Sequence, residues 1–440
     1  MTTIFAQCSG LVKAGVAVYR ISGPRALYAA QCLTKKAFFE PRKAYLLDVF
    51  DPVSDELIDK GLVLYFKAPS SFTGEDIIEF HLHGSLAISK LMYKSLAIIQ
   101  GVRIANPGEF SKRAYINGKF DLIQAEGLVD LINAETQMQH KQAMQQSSGL
   151  LSGLYESWRK SLLKVMSYLE AYIDFPEEGI SSKVLGEIER NIQTLKQQMK
   201  NHLDDHNRGE VIREGINLSI FGPPNVGKSS LINYIANKNV AIVSPMPGTT
   251  RDSIETFIDI QGYPVCVMDT AGIRNNTYDV IELEGIKRAV TKTQAAHIKL
   301  LVVDVEIDVN NLDKGIKDLI DDKTILVINK VDLNPNIPII SDAIYISLKQ
   351  KINLEELMEK ILDKIKKISP SLQNPYITRE RHRQNVEVAL SLLNNFSLEK
   401  DLVLAAEDIR LSARRLSLIT GKITADEILG EIFSSFCIGK

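Results

Sequence analysis

The stretch that decides the fold is Gly222-Pro223-Pro224-Asn225-Val226-Gly227-Lys228-Ser229. It follows the apolar run 216–221 and opens a helical pattern at 230–233, which is the context of a phosphate-binding loop. Glycines at this spacing let backbone N–H groups face phosphate oxygens, and the helix N-terminus adds partial positive charge. We predict that Lys228 reaches the outer phosphates and that Ser229 coordinates Mg²⁺. The predicted nucleotide-binding residues of the loop are Asn225, Val226, Gly227, Lys228, Ser229 and Ser230.

Two further motifs follow in a fixed order, each after an apolar run that reads as a strand. Asp269-Thr270-Ala271-Gly272 comes after 265–268, and Asn329-Lys330-Val331-Asp332 comes after 324–328. We predict that Asp269 holds Mg²⁺ through water and that the Gly272 amide senses the γ-phosphate. Asn329 and Asp332 suit a purine with an N1–H and a 2-amino donor, so guanine is favoured over adenine. Ser347 opens a last, weaker base-contacting turn, and the set over roughly 215–368 resembles a translation-factor-type GTPase.

The predicted switch segment, 244–252, departs from the Ras type. Ile273 follows the Asp-Thr-Ala-Gly motif, and an apolar side chain cannot orient water. Thr250 is the predicted Mg²⁺ ligand, and the backbone carbonyls of the segment, together with Asn225, could hold a monovalent cation beside the transferring phosphate. The alternative for Asn225 is a side chain that stabilises the turn. The predicted nucleotide contacts of this segment are Ser244, Pro245, Met246, Pro247, Gly248, Thr249 and Thr250.

Composition limits the class of protein. The 440 residues carry 52 Lys+Arg against 54 Asp+Glu and are 45% hydrophobic, which excludes a disordered chain and a globally basic nucleic-acid binder. Any RNA contact therefore depends on a local patch. No apolar run reaches the roughly 18 residues of a membrane span, and the start of the chain lacks a secretory pattern, so we expect a cytoplasmic protein without a membrane partner.

Three zones of pattern follow one another. Residues 4–117 mix short strand-like runs with helices, as in an α+β domain, and 122–213 reads as long helices interrupted near 174–176. From 216 strands and helices alternate, which predicts a parallel sheet, and helix-like sequence resumes from 380 to about 436. The order helical, α/β, helical predicts an inserted domain, with the flanking helical pieces packed against each other.

The two ends of the chain carry a more specific resemblance. The N-terminal zone contains Tyr-Arg-Ile-Ser-Gly at 19–23, Ser-Phe-Thr-Gly-Glu-Asp at 71–76, Asn-Pro-Gly-Glu-Phe at 106–110 and Asp-Leu-Ile-Gln-Ala-Glu at 121–126. The chain closes with Phe-Cys-Ile-Gly-Lys at 436–440. Together with the inserted GTPase, this set closely resembles the MnmE (TrmE) family of bacterial and organellar tRNA-modifying GTPases, from Ile4 to Lys440.

The resemblance implies a multidomain fold. Its parts are an N-terminal α+β folate-binding domain at 1–118, a discontinuous all-α helical domain at 119–213 plus 371–440, and an inserted α/β P-loop GTPase domain at 214–370. It also implies a homodimer through the N-terminal domains and a flavoprotein partner, MnmG (GidA), in a heterotetramer. The expected activity is GTP hydrolysis in the installation of an aminomethyl or carboxymethylaminomethyl group on C5 of the wobble uridine of certain tRNAs.

Site residues follow from the resemblance by motif matching. A tetrahydrofolate one-carbon derivative is expected at Arg20, Glu79, Lys119 and Lys440, although Arg20 and Glu79 could instead form structural ion pairs. The K⁺ ligands carried over are Asn225, Ser244, Met246 and Thr249, with hydrolysis stimulated when two GTPase domains dimerise. Glu282 is the expected catalytic residue, where the alternative is a solvated surface charge.

The rival interpretation from another class is a regulatory GTPase switch in ribosome assembly that binds RNA without modifying it. An appended RNA-binding module, such as a KH domain with its Gly-x-x-Gly loop, would favour that interpretation, and the sequence shows none. An ATP-using enzyme is disfavoured by Asn329 and Asp332.

Overall fold

The chain divides into two compact units, both discontinuous in sequence. The computed structural model describes residues 2–174, 182–242, 255–269, 289–307, 311–334, 340–369, 375–399 and 401–423, with 429, 432–433, 436 and 439. The first unit comprises Met1–Val129, Gln146–Gly179 and Phe396–Lys440, and the second Asp130–Gln145 and Ile180–Asn395. The boundaries of the three domains inferred from sequence stay predictions.

The first unit contains a mainly antiparallel sheet. Within the described residues its strands are β1 (Thr3–Gln7), β2 (Ala14–Ser22), β3 (Ala44–Phe50), β4 (Leu57–Phe66), β5 (Ile77–Gly84) and β6 (Val102–Ile104). Their order is β3-β4-β5-β2-β1-β6, and only the β1–β6 pair is parallel. All five residues of β1 are buried. The prediction of an α+β zone at 4–117 is confirmed.

The second unit contains the sheet that carries the phosphate loop. Its described strands are β7 (Ile216–Phe221), β8 (Val240–Ile242), β9 (Glu255–Ile260), β10 (Tyr263–Asp269), β11 (Ile298–Asp304), β12 (Thr324–Asn329) and β13 (Ile344–Tyr345). They are ordered β13-β12-β11-β7-β10-β9-β8, with β8, β9 and β10 pairing antiparallel and the remaining pairs parallel. β11 is buried along its whole length, as expected for a central strand of a parallel sheet.

Helices complete both units. Those of the described residues with assigned bounds are α1 (Ala26–Thr34), α2 (Leu86–Ile98), α3 (Glu109–Ile116), α4 (Leu122–Asn133), α5 (Gln137–Ser147), α6 (Leu150–Asp174), α7 (Ser182–Leu203), α8 (Arg208–Glu214), α9 (Lys228–Lys238), α10 (Lys314–Lys317), α11 (Leu354–Ile368), α12 (Glu380–Asn395) and α13 (Leu402–Thr420). α6 packs against α13 in the first unit, and α7 packs against α12 in the second. The prediction that the helical pieces flanking the insertion pack together is therefore confirmed.

The helical stretch 122–213 is more broken than the sequence indicated. Helices end before 134–136, 148–149 and 204–207. Gly149 (φ 88°) and Asn207 (φ 58°) adopt left-handed backbone conformations that an α-helix does not continue through. The only interruption expected, near 174–176, coincides with the end of α6 at Asp174, after which residues 175–181 lie outside the described part.

Among the described helices, none combines the length and the apolar character that crossing a membrane requires.

Candidate functional site

The phosphate loop joins the end of β7 to the start of α9. Gly222 has φ 142°, and a Cβ there would overlap the carbonyl oxygen of Val302 in the neighbouring β11. Gly227 has φ 101°, and a Cβ there would lie 2.5 Å from the amide nitrogen of Asn329. Both positions therefore need glycine, because they combine a backbone conformation that L side chains rarely adopt with close packing, against backbone at Gly222 and against a side chain at Gly227.

Positive charge is concentrated within the loop. Nζ of Lys228 donates to the carbonyl oxygens of Gly222, at 2.9 Å, and Pro223, at 2.6 Å. Ser229 and Ser230 are exposed in the first turn of α9. An ammonium group beside a helix N-terminus fits a polyphosphate, and an exposed hydroxyl in this turn fits a Mg²⁺ ligand.

Asn225 and Val226 have opposite environments. Val226 is fully buried in the core of the second unit, so it anchors the loop. Asn225 has φ 63° and is exposed. An exposed amide oxygen on the rim of a phosphate loop is chemically suited to a monovalent cation.

The residues predicted to read the base lie next to the same loop. Nδ2 of Asn329 donates to the Val226 carbonyl at 2.8 Å, and Oδ1 of Asn329 accepts from the Leu348 N–H at 3.3 Å. Asp332 accepts a 2.6 Å hydrogen bond from the Ser347 hydroxyl. The structure thus brings together the predicted residues of the phosphate loop, of the turn after β12 and of the turn at Ser347.

Lys330 has a partner that sequence reasoning missed. Its Nζ lies 3.0 Å from Oδ2 of Asp304, and its own backbone has φ 66°. Asp304 is the last residue of β11 and is in register with Asn329 of β12. In the sequence, the signal for this partner was the acidic residue that ends β11, the strand next to the one that leads into Asn-Lys-Val-Asp.

Several predicted residues fall outside the described part of the chain. They are Ser244, Pro245, Met246, Pro247, Gly248, Thr249, Thr250, Thr270, Ala271, Gly272, Glu282 and Lys440. The backbone of Asp269 is described: it ends β10 in register with Ile220 of β7.

A second polar site lies on the N-terminal sheet. Arg20 of β2 and Glu79 of β5 are register partners, and Nη2 of Arg20 lies 2.8 Å from Oε1 of Glu79. The guanidinium carbon is 5.1 Å from the ring centre of Phe72 and 5.8 Å from that of Phe110. The ion pair named as the alternative is therefore present, in a partly enclosed aromatic setting that suits a planar polar ring.

Lys119 lies near the aromatic rings that surround Arg20. Its Nζ donates to the Pro69 carbonyl at 2.8 Å. The neighbouring Phe120 is 6.1 Å, centre to centre, from Phe72. Lys119 also lines an open cavity of about 500 Å³, whose rim includes Lys422. Lys119 and Phe120 line this cavity, and the contact of Phe120 with Phe72 connects it to the aromatic setting of Arg20.

Two of the N-terminal motifs meet at a residue that sequence reasoning missed. Nη1 of Arg113 lies 3.0 Å from Oε2 of Glu75, and Nη2 lies 2.9 Å from Oε1 of Glu109. Burial raises the pKa of Glu109, but hydrogen bonds from Arg103, from the Asn106 N–H and from Arg113 outweigh it and lower that pKa to about 2. Arg113 thus joins the loop that carries Phe72 to the first turn of α3, which carries Phe110.

The chain end reaches the first strand of the same sheet. Gly439 has φ 103°, a Cβ there would overlap the Gln7 carbonyl, and Sγ of Cys8 donates to the Gly439 carbonyl at 2.9 Å. Gln7 follows Ala6, the register partner of Arg20. The residue before Lys440 therefore packs against the strand next to the Arg20–Glu79 pair.

Comparison with known proteins covers nearly the whole chain. A family model described as GTP-binding protein TrmE N-terminus matches residues 3–119, and one described as MnmE helical domain matches residues 122–437. A tRNA modification GTPase MnmE from Rickettsia akari is 49% identical, and one from Rickettsia bellii is 50% identical, each over 100% of both chains.

Solved structures match in part. The G domain of the FeoB iron transporter of T. maritima is 23% identical over 34% of this chain and 98% of its own, with a TM-score of 0.26. Era of Aquifex aeolicus bound to GDP and AlF4⁻ is 25% identical over 40% of this chain and 66% of its own, with a TM-score of 0.27.

Proposed function

Since the chain belongs to the MnmE family of tRNA modification GTPases, we propose that it couples GTP hydrolysis to one-carbon transfer onto tRNA. The modified atom would be C5 of the wobble uridine, and the product an aminomethyl or carboxymethylaminomethyl group. The observation that carries the proposal is the Arg20–Glu79 pair, whose guanidinium lies near the rings of Phe72 and Phe110, in the same chain as a complete phosphate loop.

Arg20, Glu79, Lys119 and Lys440 are proposed to bind a tetrahydrofolate derivative. When bound, the folate would supply the one-carbon unit. The carboxylate of Glu79 is suited to accept from the donor-rich edge of a pterin, and the guanidinium of Arg20 orients that carboxylate. Phe72 and Phe110 would exclude water from one face of the ring, while lysines suit the carboxylates of the folate tail.

The second unit is proposed to hydrolyse GTP with cation assistance. Ser229 and Thr250 would bind Mg²⁺, and the K⁺ ligands would be Asn225, Ser244, Met246 and Thr249. These cations would supply positive charge beside the transferring phosphate, in place of an arginine finger. Glu282 is proposed to orient the attacking water, and hydrolysis would be stimulated by dimerisation of two GTPase domains.

The proposed assembly is a homodimer that binds the flavoprotein MnmG as a heterotetramer and works on tRNA in the cytoplasm. Its domains would be 1–118, 119–213 plus 371–440, and 214–370. The near-neutral net charge of −2 supports a tRNA contact through a local basic patch rather than the whole surface.

Mass spectrometry of wobble nucleosides tests the proposal. A strain that lacks the gene is complemented with the wild type, with Arg20→Lys, or with Lys43→Ala as a control in an exposed ion pair. We expect C5-modified uridine to be absent without the gene, restored by the wild type and Lys43→Ala, and strongly reduced by Arg20→Lys, because lysine lacks the planar fork. Purified Arg20→Lys should keep its GTP turnover.

Two outcomes contradict the proposal separately. A full complement of C5-modified uridine in the deletion strain would exclude wobble modification and favour the ribosome-assembly switch. Full restoration by Arg20→Lys would exclude the folate role of the Arg20–Glu79 pair alone.

A further inference from the structure

The β9–β10 hairpin reaches from the predicted switch segments to α5. β9 begins at Glu255, soon after the segment 244–252, and β10 ends at Asp269, directly before Thr-Ala-Gly. Its turn is Gln261-Gly262, with φ values of 50° and 89°, which is the two-residue connection that fits the twist of a hairpin. At about 3.3 Å per residue, each strand spans about 20 Å.

The tip of this hairpin contacts the first turn of α5. The Gly262 carbonyl accepts from the Met138 N–H at 3.0 Å, and a Cβ at position 262 would lie 3.3 Å from Cβ of Gln137. Thr136 and Gln139 form a capping box around this turn, with Oγ1 of Thr136 accepting from the Gln139 N–H at 3.4 Å. The N–H of Met138, which the helix itself leaves unpaired, is thus satisfied by the hairpin.

Two glutamines fasten α5 to α8, the helix that leads into β7. Nε2 of Gln139 donates to the Arg213 carbonyl at 3.2 Å, and Nε2 of Gln142 donates to the Gly209 carbonyl at 2.9 Å. Gly209 packs so closely on the carbonyl of Ile377 that a Cβ there would overlap it. α5 is therefore attached where the chain enters and leaves the sheet of the second unit.

α5 is attached mainly by amides rather than by apolar packing. Its sequence, Gln-Met-Gln-His-Lys-Gln-Ala-Met-Gln-Gln-Ser, buries Ala143 but exposes Met144 by 46%. Neutral hydrogen bonds contribute little net free energy each, so a small shift of the hairpin is able to change the position or protection of the helix. Past Gln145 the same helix continues into 146–147, which cluster with the first unit, where Gln146 donates to the Ile123 carbonyl at 3.1 Å.

We propose that α5 couples the nucleotide state of the second unit to the rest of the chain, with Gln139 and Gln142 as positioning residues. Movement of the hairpin would shift the N-terminal turn of α5 through the Gly262–Met138 hydrogen bond. The hydrogen bonds of Gln139 and Gln142 would make α8 move together with α5. The proposal goes beyond the proposed function and does not depend on the folate or on the flavoprotein.

Hydrogen exchange of the full-length wild type, measured by mass spectrometry, tests the coupling without any variant. We expect the amides of 137–145 to exchange at rates that differ by about fivefold or more between the GDP complex and the complex with a non-hydrolysable GTP analogue. Equal rates in the two nucleotide states would overturn the proposal.

Gln142→Glu separates coupling from a merely structural role. Its carboxylate has nearly the shape of the amide but cannot donate to the Gly209 carbonyl. We expect the nucleotide dependence of exchange to disappear while GTP turnover stays within about twofold of the wild type. Lys141→Ala, on the exposed side of the same helix, is the matched control and should keep the difference. Faster exchange by the same factor in both nucleotide states, with the wild-type difference retained, would mean that Gln142 is only structural and would contradict its assigned role.

Discussion

Asn329 joins the turn at Leu348, which is predicted to read the base, to the phosphate loop: its amide donates to the Val226 carbonyl at 2.8 Å, and its side-chain oxygen accepts from the Leu348 N–H. The Asn329 side chain is only 3% exposed. One buried side chain therefore fixes the distance between the phosphate loop and the turn predicted to recognise the base.

Asn329→Ala should weaken GTP binding through both ends of this link. It leaves the Val226 carbonyl and the Leu348 N–H without their partner, at about 1–3 kcal/mol, so we expect the Kd for GTP to rise about 5- to 150-fold. Titration with a fluorescent GTP analogue measures this. Gln350→Ala, which removes only an exposed side chain, should bind normally. An unchanged Kd for Asn329→Ala would show that the link is dispensable.

Asp332→Asn should change the preferred base. The carboxylate of Asp332 is oriented by the Ser347 hydroxyl and would accept from two donors of guanine, whereas an amide offers one donor and one acceptor, as xanthine requires. Competition between GTP and XTP should shift toward XTP by about a hundredfold. If GTP keeps its advantage in the variant, Asp332 does not read the base.

Arg113→Ala should destabilise the N-terminal sheet strongly. It leaves the carboxylate of Glu75, 11% exposed, without its cation, whereas Glu109, 13% exposed, keeps its contact with Arg103. Removing one partner of a buried pair costs about 3–5 kcal/mol. Urea unfolding followed by circular dichroism measures the loss. Arg410→Ala removes an exposed helix pair with Glu407 and should cost less than about 0.5 kcal/mol. Similar losses in the two variants would contradict the role of Arg113.

His202 makes stability depend on pH. Burial is the largest cause that lowers its pKa, from 6.5 to about 4. As the pH falls, the unfolded chain therefore binds a proton at this position at a higher pH than the folded chain does. The contribution of His202 to the free energy of unfolding is fully present above pH 6.5, and about 3 kcal/mol is lost as the pH drops toward 4. His202→Gln should flatten the urea-unfolding profile between these pH values. A profile as steep as that of the wild type would assign the effect to another group.

Replacing K⁺ by Na⁺ at equal ionic strength should lower GTP turnover about tenfold or more, because the cation would supply charge at the transferring phosphate. Asn225→Ala should remove most of the difference between the two salts while nucleotide affinity changes little. Equal turnover of the wild type in both salts would exclude potassium assistance.

The motifs of the nucleotide site could be recognised because the residues within each motif are contiguous in sequence. Gly222 and Gly227 specify backbone conformations locally, and the strand before each motif places Asn329 and Lys228 at the same edge of a parallel sheet. The sequence contains this geometry in its spacing, so the predicted residues from Asn225 to Ser230 and from Asn329 to Ser347 were found together.

Contacts between distant residues were not predictable in this way. Arg113 binds the carboxylate of Glu75, 38 residues away, and Gln142 donates to a carbonyl 67 residues away, so neither partnership leaves a local pattern. The breaks near Gly149 and Asn207 were also missed, because one or two residues with positive φ interrupt a helix without disturbing the apolar spacing around them. Arg20 and Glu79 were identified one by one, but their pairing required the register of β2 and β5.

The close backbone packing of Gly209 on Ile377 has a consequence for how the insertion is tolerated. The two ends of the insertion meet here, because the segment that leads into it contacts the segment that leads out of it. Everything between them is a loop closed on itself, so its length does not set the distance between the two segments that flank it. A longer or shorter insertion is therefore compatible with the same contact of Gly209 with Ile377.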